Sequence, residues 1–216
     1  MNKRLTPYGI EPNPNKQKIQ NWVETRKATG RFEDQLGGGQ MERGLGTMNS
    51  AIIVSRKEYE NSGYGDMSDA NGAYGAQDNI YFSDPGFFQG SKSSTEKHEL
   101  SHAFDVGTIG AFDANVESNI QKKIKSIPVK GGFKTEDWMP APEVYAELMK
   151  FRLENNINPK KIFTKQDLPE LRKKLKKEDD YGMFNINDMY DDQNILRLMN
   201  EVVTTDKPND PNTRVV

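Results

Sequence analysis

The only two histidines of the chain stand four residues apart, in the segment His98-Glu99-Leu100-Ser101-His102. Residues four apart share one face of an α-helix, so this spacing brings both imidazoles to one point if the segment is helical. Glu99 then lies about 100° further round the helix, beside that point and not on it. The segment therefore predicts a helix that offers two imidazole ligands to a metal ion, with a carboxylate next to them.

The H-E-x-x-H pattern is typical of zinc-dependent peptidases, in which the glutamate is the general base for a water molecule at the metal. We therefore predict a Zn²⁺ cofactor, with His98 and His102 as ligands and Glu99 as the catalytic base. The alternative interpretation is a surface helix with two solvated histidines. A serine-histidine-aspartate triad is disfavoured, because the chain has no nucleophile elbow and the triad would have to use one of these two histidines.

The third ligand of the predicted ion must be acidic. A catalytic zinc ion usually has three protein ligands and one water molecule. The chain has no third histidine and no cysteine, which leaves aspartate and glutamate. The candidates are Glu143, Glu147 and Asp105.

Each of these acids also has a structural interpretation. Glu143 and Glu147 lie one turn apart in a helix that is predicted to begin at Pro142. An acid in a first turn stabilises the helix dipole, which is the alternative role for Glu143. For Asp105 we favour a bond that orients a ligand histidine or ties the end of the helix.

The composition excludes several other classes of protein. The chain has 30 Lys and Arg against 32 Asp and Glu, a net charge of −2, so no nucleic-acid partner is expected. The basic residues between 172 and 177 interleave with Leu168, Leu171 and Leu175 and predict the solvated face of an amphipathic helix. No apolar run approaches the roughly 18 residues of a membrane span. No secretory signal is visible either, so we expect a cytoplasmic protein without membrane contact.

We predict one domain with an N-terminal extension. Residues 1–48 are expected to form an arm, a helix and a flexible glycine-rich linker, the linker being 31–48. Residues 49–205 are the predicted metallopeptidase domain, and residues 206–216 form a polar tail.

The hydrophobic pattern predicts an α+β fold, mainly helical, with a small mixed sheet beside the histidine helix. The predicted strands are 51–55 and 79–83. The histidine helix is expected to start with a capping box of Ser93 and Glu96 and to end at Gly107. The other predicted helices run from Pro14 to just before Gly30, over 114–125, from Pro142 to Phe151, over 167–177 and over 189–203.

Two segments together resemble a known family of peptidases. The segment from His98 to Asp105 reads H-E-L-S-H-A-F-D, and the segment from Glu143 to Glu147 reads E-V-Y-A-E. They resemble the two motif helices of the gluzincin peptidases related to anthrax lethal factor. The resemblance covers about residues 50–203 and depends on these two motifs. It implies a zincin-like fold, a protein or peptide substrate, Glu143 as the third zinc ligand and Glu147 as a supporting residue.

One position departs from that family. Its members carry a tyrosine seven residues before the third ligand, which assists the transition state, and this chain has Glu136 there, with Trp138 nearby. The candidate replacements are Tyr145, Tyr74 and Tyr81, of which Tyr145 is the predicted oxyanion stabiliser.

The missing tyrosine, the long polar termini and the Lys-, Asn- and Asp-rich composition also resemble zincin-like proteins encoded by tailed bacteriophages, including the crAss-like group. That resemblance implies a structural or assembly component in the tail or portal region of a virion, with little or no peptidase activity. Its partners would be other virion proteins, and its location would be the virion.

Overall fold

The histidine motif lies on helix α4 (Lys92–Ile109). The computed structural model describes residues 13–28, 39–84, 91–109, 117–133, 135, 139–179 and 186–202, without the side chains of 177–179 and 201–202. The elements before α4 are α1 (Pro14–Lys27), α2 (Gln40–Ser50), β1 (Ile52–Ile53), α3 (Arg56–Tyr59), β2 (Gly72–Gly75) and β3 (Ile80–Ser83). The elements after it are α5 (Asn119–Ser126), α6 (Ala141–Glu154), α7 (Leu168–Asp179), α8 (Ile186–Met189) and α9 (Asp192–Arg197).

The described strands form one small mixed sheet in the order β1–β3–β2. β1 is parallel to β3, with Ile53 opposite Tyr81, and β2 is antiparallel to β3, with Tyr74 opposite Tyr81. The predicted α+β class with a small mixed sheet is therefore confirmed. β2 was not predicted from the sequence, because its residues Gly-Ala-Tyr-Gly include two glycines and an alanine, which are depleted in strands.

Helix α4 is buried on several sides. Leu100, Ala103 and Phe104 are fully buried in a core to which α1, α2, α5, α6 and the sheet also contribute. Tyr81 of β3 reaches α4 from the sheet, and its hydroxyl donates to Glu96 at 2.6 Å. Among the residues that the structure describes, no helix is both long and apolar enough to cross a membrane.

Two expectations about glycine are wrong. The sequence predicts a flexible linker that includes residues 40–48, yet these residues lie in α2, whose Met41, Leu45 and Met48 are buried on one face. The sequence also predicts that Gly107 ends the histidine helix, yet α4 continues to Ile109. The reason is close packing: a Cβ on Gly107 would lie 2.8 Å from the Cα of Gly44 on α2.

The predicted capping box at the start of α4 is also wrong. The helix begins at Lys92, and the Ser91 hydroxyl accepts from the backbone N–H of Ser94 at 3.1 Å. Glu96 is instead buried and accepts from the side chain of Asn13 at 2.8 Å and from Asn15. This network joins the start of α1 to the start of α4, since both asparagines lie at the N-terminal end of α1.

The other predicted helices are found with different bounds. The predicted 167–177 helix is α7, and the helix predicted from Pro142 is α6, which begins one residue earlier. The predicted 189–203 helix is divided into α8, α9 and a π-helical turn, Leu198–Val202. The predicted 114–125 helix begins later, at Asn119 of α5. Residues 1–12, 114–116 and 203–216 lie outside the described part, as do Glu136 and Trp138.

We expect Gly44→Ala to destabilise the protein. Its new Cβ would lie 2.9 Å from the carbonyl oxygen of Phe104, so α2 and α4 would have to separate, which costs about 1–3 kcal/mol. Gly46→Ala is the matched control on the same helix, because a Cβ there would have nothing within 4 Å and alanine favours helix by up to about 1 kcal/mol. Urea unfolding measures both, and unchanged stability of Gly44→Ala would contradict the close packing.

Candidate metal centre

Three side chains from two helices converge on one point. His98 and His102 lie on successive turns of α4, and Glu143 lies in the first turn of α6. Nε2 of His98 is 3.0 Å from Nε2 of His102 and 3.1 Å from Oε2 of Glu143. Nε2 of His102 is 3.4 Å from Oε1 of Glu143. These three residues could hold a metal ion.

The spacing fits a small ion with tetrahedral coordination. Zinc bonds of about 2.0–2.1 Å in tetrahedral geometry place neighbouring ligand atoms about 3.3 Å apart. The two Nε2 atoms are 3.0 Å apart, and Glu143 approaches His98 with Oε2 at 3.1 Å and His102 with its other oxygen, Oε1, at 3.4 Å. The side chains of His98, His102 and Glu143 are 15%, 13% and 34% exposed, so the cluster is accessible to solvent.

The carboxylates of the cluster favour a positive charge on its histidines. Burial alone would lower the pKa of His98, but the Glu143 and Glu147 carboxylates outweigh it and raise that pKa to about 10. Burial would raise the pKa of Glu143, but His102 and His98 hold it well below its ordinary value. The carboxylates thus favour a positive charge at this point, which a protonated imidazole or a metal ion would supply.

Glu147 lies on the other side of His98. Its Oε1 is 2.8 Å from Nδ1 of His98, within hydrogen-bond distance although the ring N–H is not well aligned with it. Its Oε2 is 2.5 Å from Nζ of Lys150. Burial would raise the pKa of Glu147, but His98 and Lys150 lower it to about 2. Glu147 therefore lies beside Nδ1 of His98, outside the group of three residues that could hold an ion, and its supporting role stays a prediction.

Glu99 lies next to the ligand pair, between α4 and the sheet. It is 5% exposed, and its Oε1 is 2.8 Å from the place where a Cβ on Gly72 of β2 would stand. Burial raises the pKa of Glu99, while His98 and His102 act in the opposite direction. The Glu99 carboxyl group thus lies close to the backbone of β2.

Asp105 connects helices and does not contact a histidine through a hydrogen bond in the described part of the chain. Its Oδ2 accepts from Nε2 of Gln121 at 2.6 Å, which ties α4 to α5. Burial raises its pKa. This contact joins two helices, whereas the roles expected from the sequence, to orient a ligand histidine or to tie the end of its own helix, stay predictions.

The hydroxyl groups of the three candidate tyrosines each lie in a different environment. The Tyr145 hydroxyl is buried in the core, where burial and then Asp105 raise its pKa well above the ordinary value. The Tyr74 hydroxyl donates to Asn79 at 2.9 Å, and that of Tyr81 donates to Glu96. The role of Tyr145 as oxyanion stabiliser stays a prediction, and it requires that side chain to move towards the ligand cluster.

Two residues of the site were not found from the sequence. Lys150 stands three residues after Glu147, and this helical spacing was a signal for an ion pair that could have been used. Gly72 gave no signal, because its position beside Glu99 depends on the pairing of β2 with β3.

The chain has no significant match to protein-family models, to curated proteins or to solved structures. Its function must therefore be argued from the chemistry of this cluster.

We expect the chain to bind one divalent ion and to lose it in His98→Ala and His102→Ala. Glu143→Ala should weaken binding more than Glu147→Ala does, because Glu143 lies in the cluster and Glu147 behind it. Metal analysis after dialysis measures the ion, and chelation should lower the melting temperature, since an ion at 100 times its Kd stabilises by about 2.7 kcal/mol. Equal metal content in wild type and His98→Ala would disprove the site.

Proposed function

We propose that this chain is a zinc-dependent peptidase with a zincin-like fold. The observation that carries the proposal is the convergence of His98, His102 and Glu143, with the buried Glu99 beside them on the same helix as the histidines. Two imidazole nitrogens and one carboxylate oxygen are a donor set that catalytic zinc takes in proteins. When bound, zinc supplies Lewis-acid chemistry, which acidifies water and polarises a carbonyl oxygen.

In this proposal Glu99 moves the proton. Hydrolysis of a peptide bond transfers one proton from the attacking water to the leaving amine, and a single carboxyl group can accept it and then release it. Burial raises the pKa of Glu99 from that of an ordinary carboxyl group. A raised pKa suits a group that must hold a proton between the two steps at neutral pH.

The proposed substrate is an extended segment of a protein or peptide. β2 is an edge strand of the described sheet, and Gly72 at its start lies against Glu99. An extended peptide can add to a sheet edge through main-chain hydrogen bonds. Pairing at this edge would bring a peptide carbonyl close to Glu99 and the ligand cluster.

One observation favours a second candidate, a zincin-like assembly component of a bacteriophage virion. The hydroxyls of Tyr74, Tyr81 and Tyr145 are engaged or buried away from the ligands, so no partner for an oxyanion is placed among these three. In that case the ion would stabilise the fold, and other virion proteins would be the partners.

We expect Glu99→Gln to reduce kcat/KM at least about 100-fold while zinc content stays that of wild type, because it removes the base and leaves all three ligands. A peptide library with the zinc-loaded chain measures cleavage. Glu170→Gln on α7 is the matched control, since its side chain is 64% exposed in a helix away from the cluster.

Wild-type cleavage rates in Glu99→Gln would overturn the peptidase proposal. Zinc bound by both chains with no peptide cleaved by either would favour the assembly role.

A further inference from the structure

Lys150 and His98 contact the two oxygens of one carboxylate. Nζ of Lys150 is 2.5 Å from Oε2 of Glu147, and Nδ1 of His98 is 2.8 Å from Oε1 of the same residue. The side chains of Lys150 and Glu147 are 18% and 23% exposed, so the three groups form a partly buried row that leads to the ligand cluster. We infer that Lys150 is a positioning residue, which holds Glu147 against Nδ1 of His98 and thereby fixes the imidazole for the metal ion. The inference rests on the proposed zinc site.

The row determines which nitrogen of His98 is available. A carboxylate at Nδ1 favours the ring with its proton on Nδ1, which leaves the lone pair on Nε2. Nε2 is the atom that lies 3.0 Å from His102 and 3.1 Å from Glu143. A contact on each oxygen restrains the rotation of the Glu147 carboxylate, so Lys150 acts on the ring through Glu147.

Lys150 also keeps Glu147 in its supporting place. Glu147 stands one turn after Glu143 on the same helix, and a released Glu147 carboxylate is a competing oxygen ligand for the ion. The ammonium group on Oε2 draws this carboxylate away from the ligand cluster and towards the next turn of α6. Glu143 thereby stays a ligand of the ion, and Glu147 stays a supporting partner of the ligand His98.

Simple electrostatics makes the opposite prediction, which gives a clear test. A cation near a metal site repels the ion, so its removal should tighten zinc binding. If Lys150 positions His98, its removal should instead weaken zinc binding, because outer partners of ligand histidines typically contribute 10- to 100-fold in affinity. The sign of the change in affinity therefore separates the two roles.

The experiment is a zinc titration of the full chain against a competing chelator. We expect Lys150→Met to bind zinc about 10-fold more weakly or worse and Lys150→Arg to recover most of the loss. Lys174→Met is the matched control, because it also removes a lysine–glutamate ion pair within one helix, here α7. Lys174 lies 3.8 Å from Glu170, and this pair is more exposed than the pair of Lys150 and Glu147. The absorption spectrum of the Co²⁺-loaded chain should change in Lys150→Met and return in Lys150→Arg, which a loss of stability alone would not produce. Affinity in Lys150→Met equal to or higher than that of wild type would overturn the inference.

A wild-type chain that binds no zinc would overturn the proposed function. The positioning role of Lys150 can then be tested separately in the metal-free protein. A double-mutant cycle of Lys150→Met with His98→Ala measures whether their effects on the unfolding equilibrium depend on each other. We expect a non-additive change of about threefold or more, transmitted through Glu147. Additive effects would refute the positioning role whether or not zinc binds.

Discussion

The structure depends on the burial of α4, a helix that has to serve the core and the candidate site at once. Leu100, Ala103 and Phe104 are fully buried, while His98 and His102 are turned towards α6 and remain partly exposed. The close approach of α2, which Gly44 and Gly107 permit, holds the helix from one side. Since the core fixes α4 and α6 relative to each other, the distances between the histidines and Glu143 are set by packing.

A concentration of negative charge distinguishes this side of α4. Glu143 approaches both histidines, and Glu147 approaches His98. Glu99 is the chain neighbour of His98 on α4, and Lys150 contacts only Glu147 of these acids among the described ion pairs. Buried carboxylates of like charge are unfavourable unless a cation lies between them. A divalent ion held by His98, His102 and Glu143 would supply such a positive charge. The nearby carboxylates also raise the pKa of His98 to about 10.

The proposed roles of the three glutamates follow from their different surroundings. Glu143 lies with the histidine nitrogens, Glu147 lies between an imidazole and an ammonium group, and Glu99 lies against a strand backbone. A ligand needs a low pKa and a free oxygen, a support needs partners on both oxygens, and a base needs a raised pKa near the reacting groups. The three glutamates are chemically identical, so their different proposed roles follow from their positions alone.

The sequence by itself determined the helical pair of histidines, the neighbouring Glu99 and the acidic nature of any third metal ligand, because these follow from local spacing and from the absence of other histidines and cysteines. It also predicted most helices, whose apolar periodicity is local. It could not choose between a ligand and a supporting role for each acid, nor place Asp105 against Gln121 or Tyr145 in the core, because those outcomes depend on contacts between distant segments. Its errors at Gly107 and at residues 40–48 have the same cause. A glycine that ends a helix and a glycine that lets two helices touch look alike in sequence, and only tertiary packing distinguishes them.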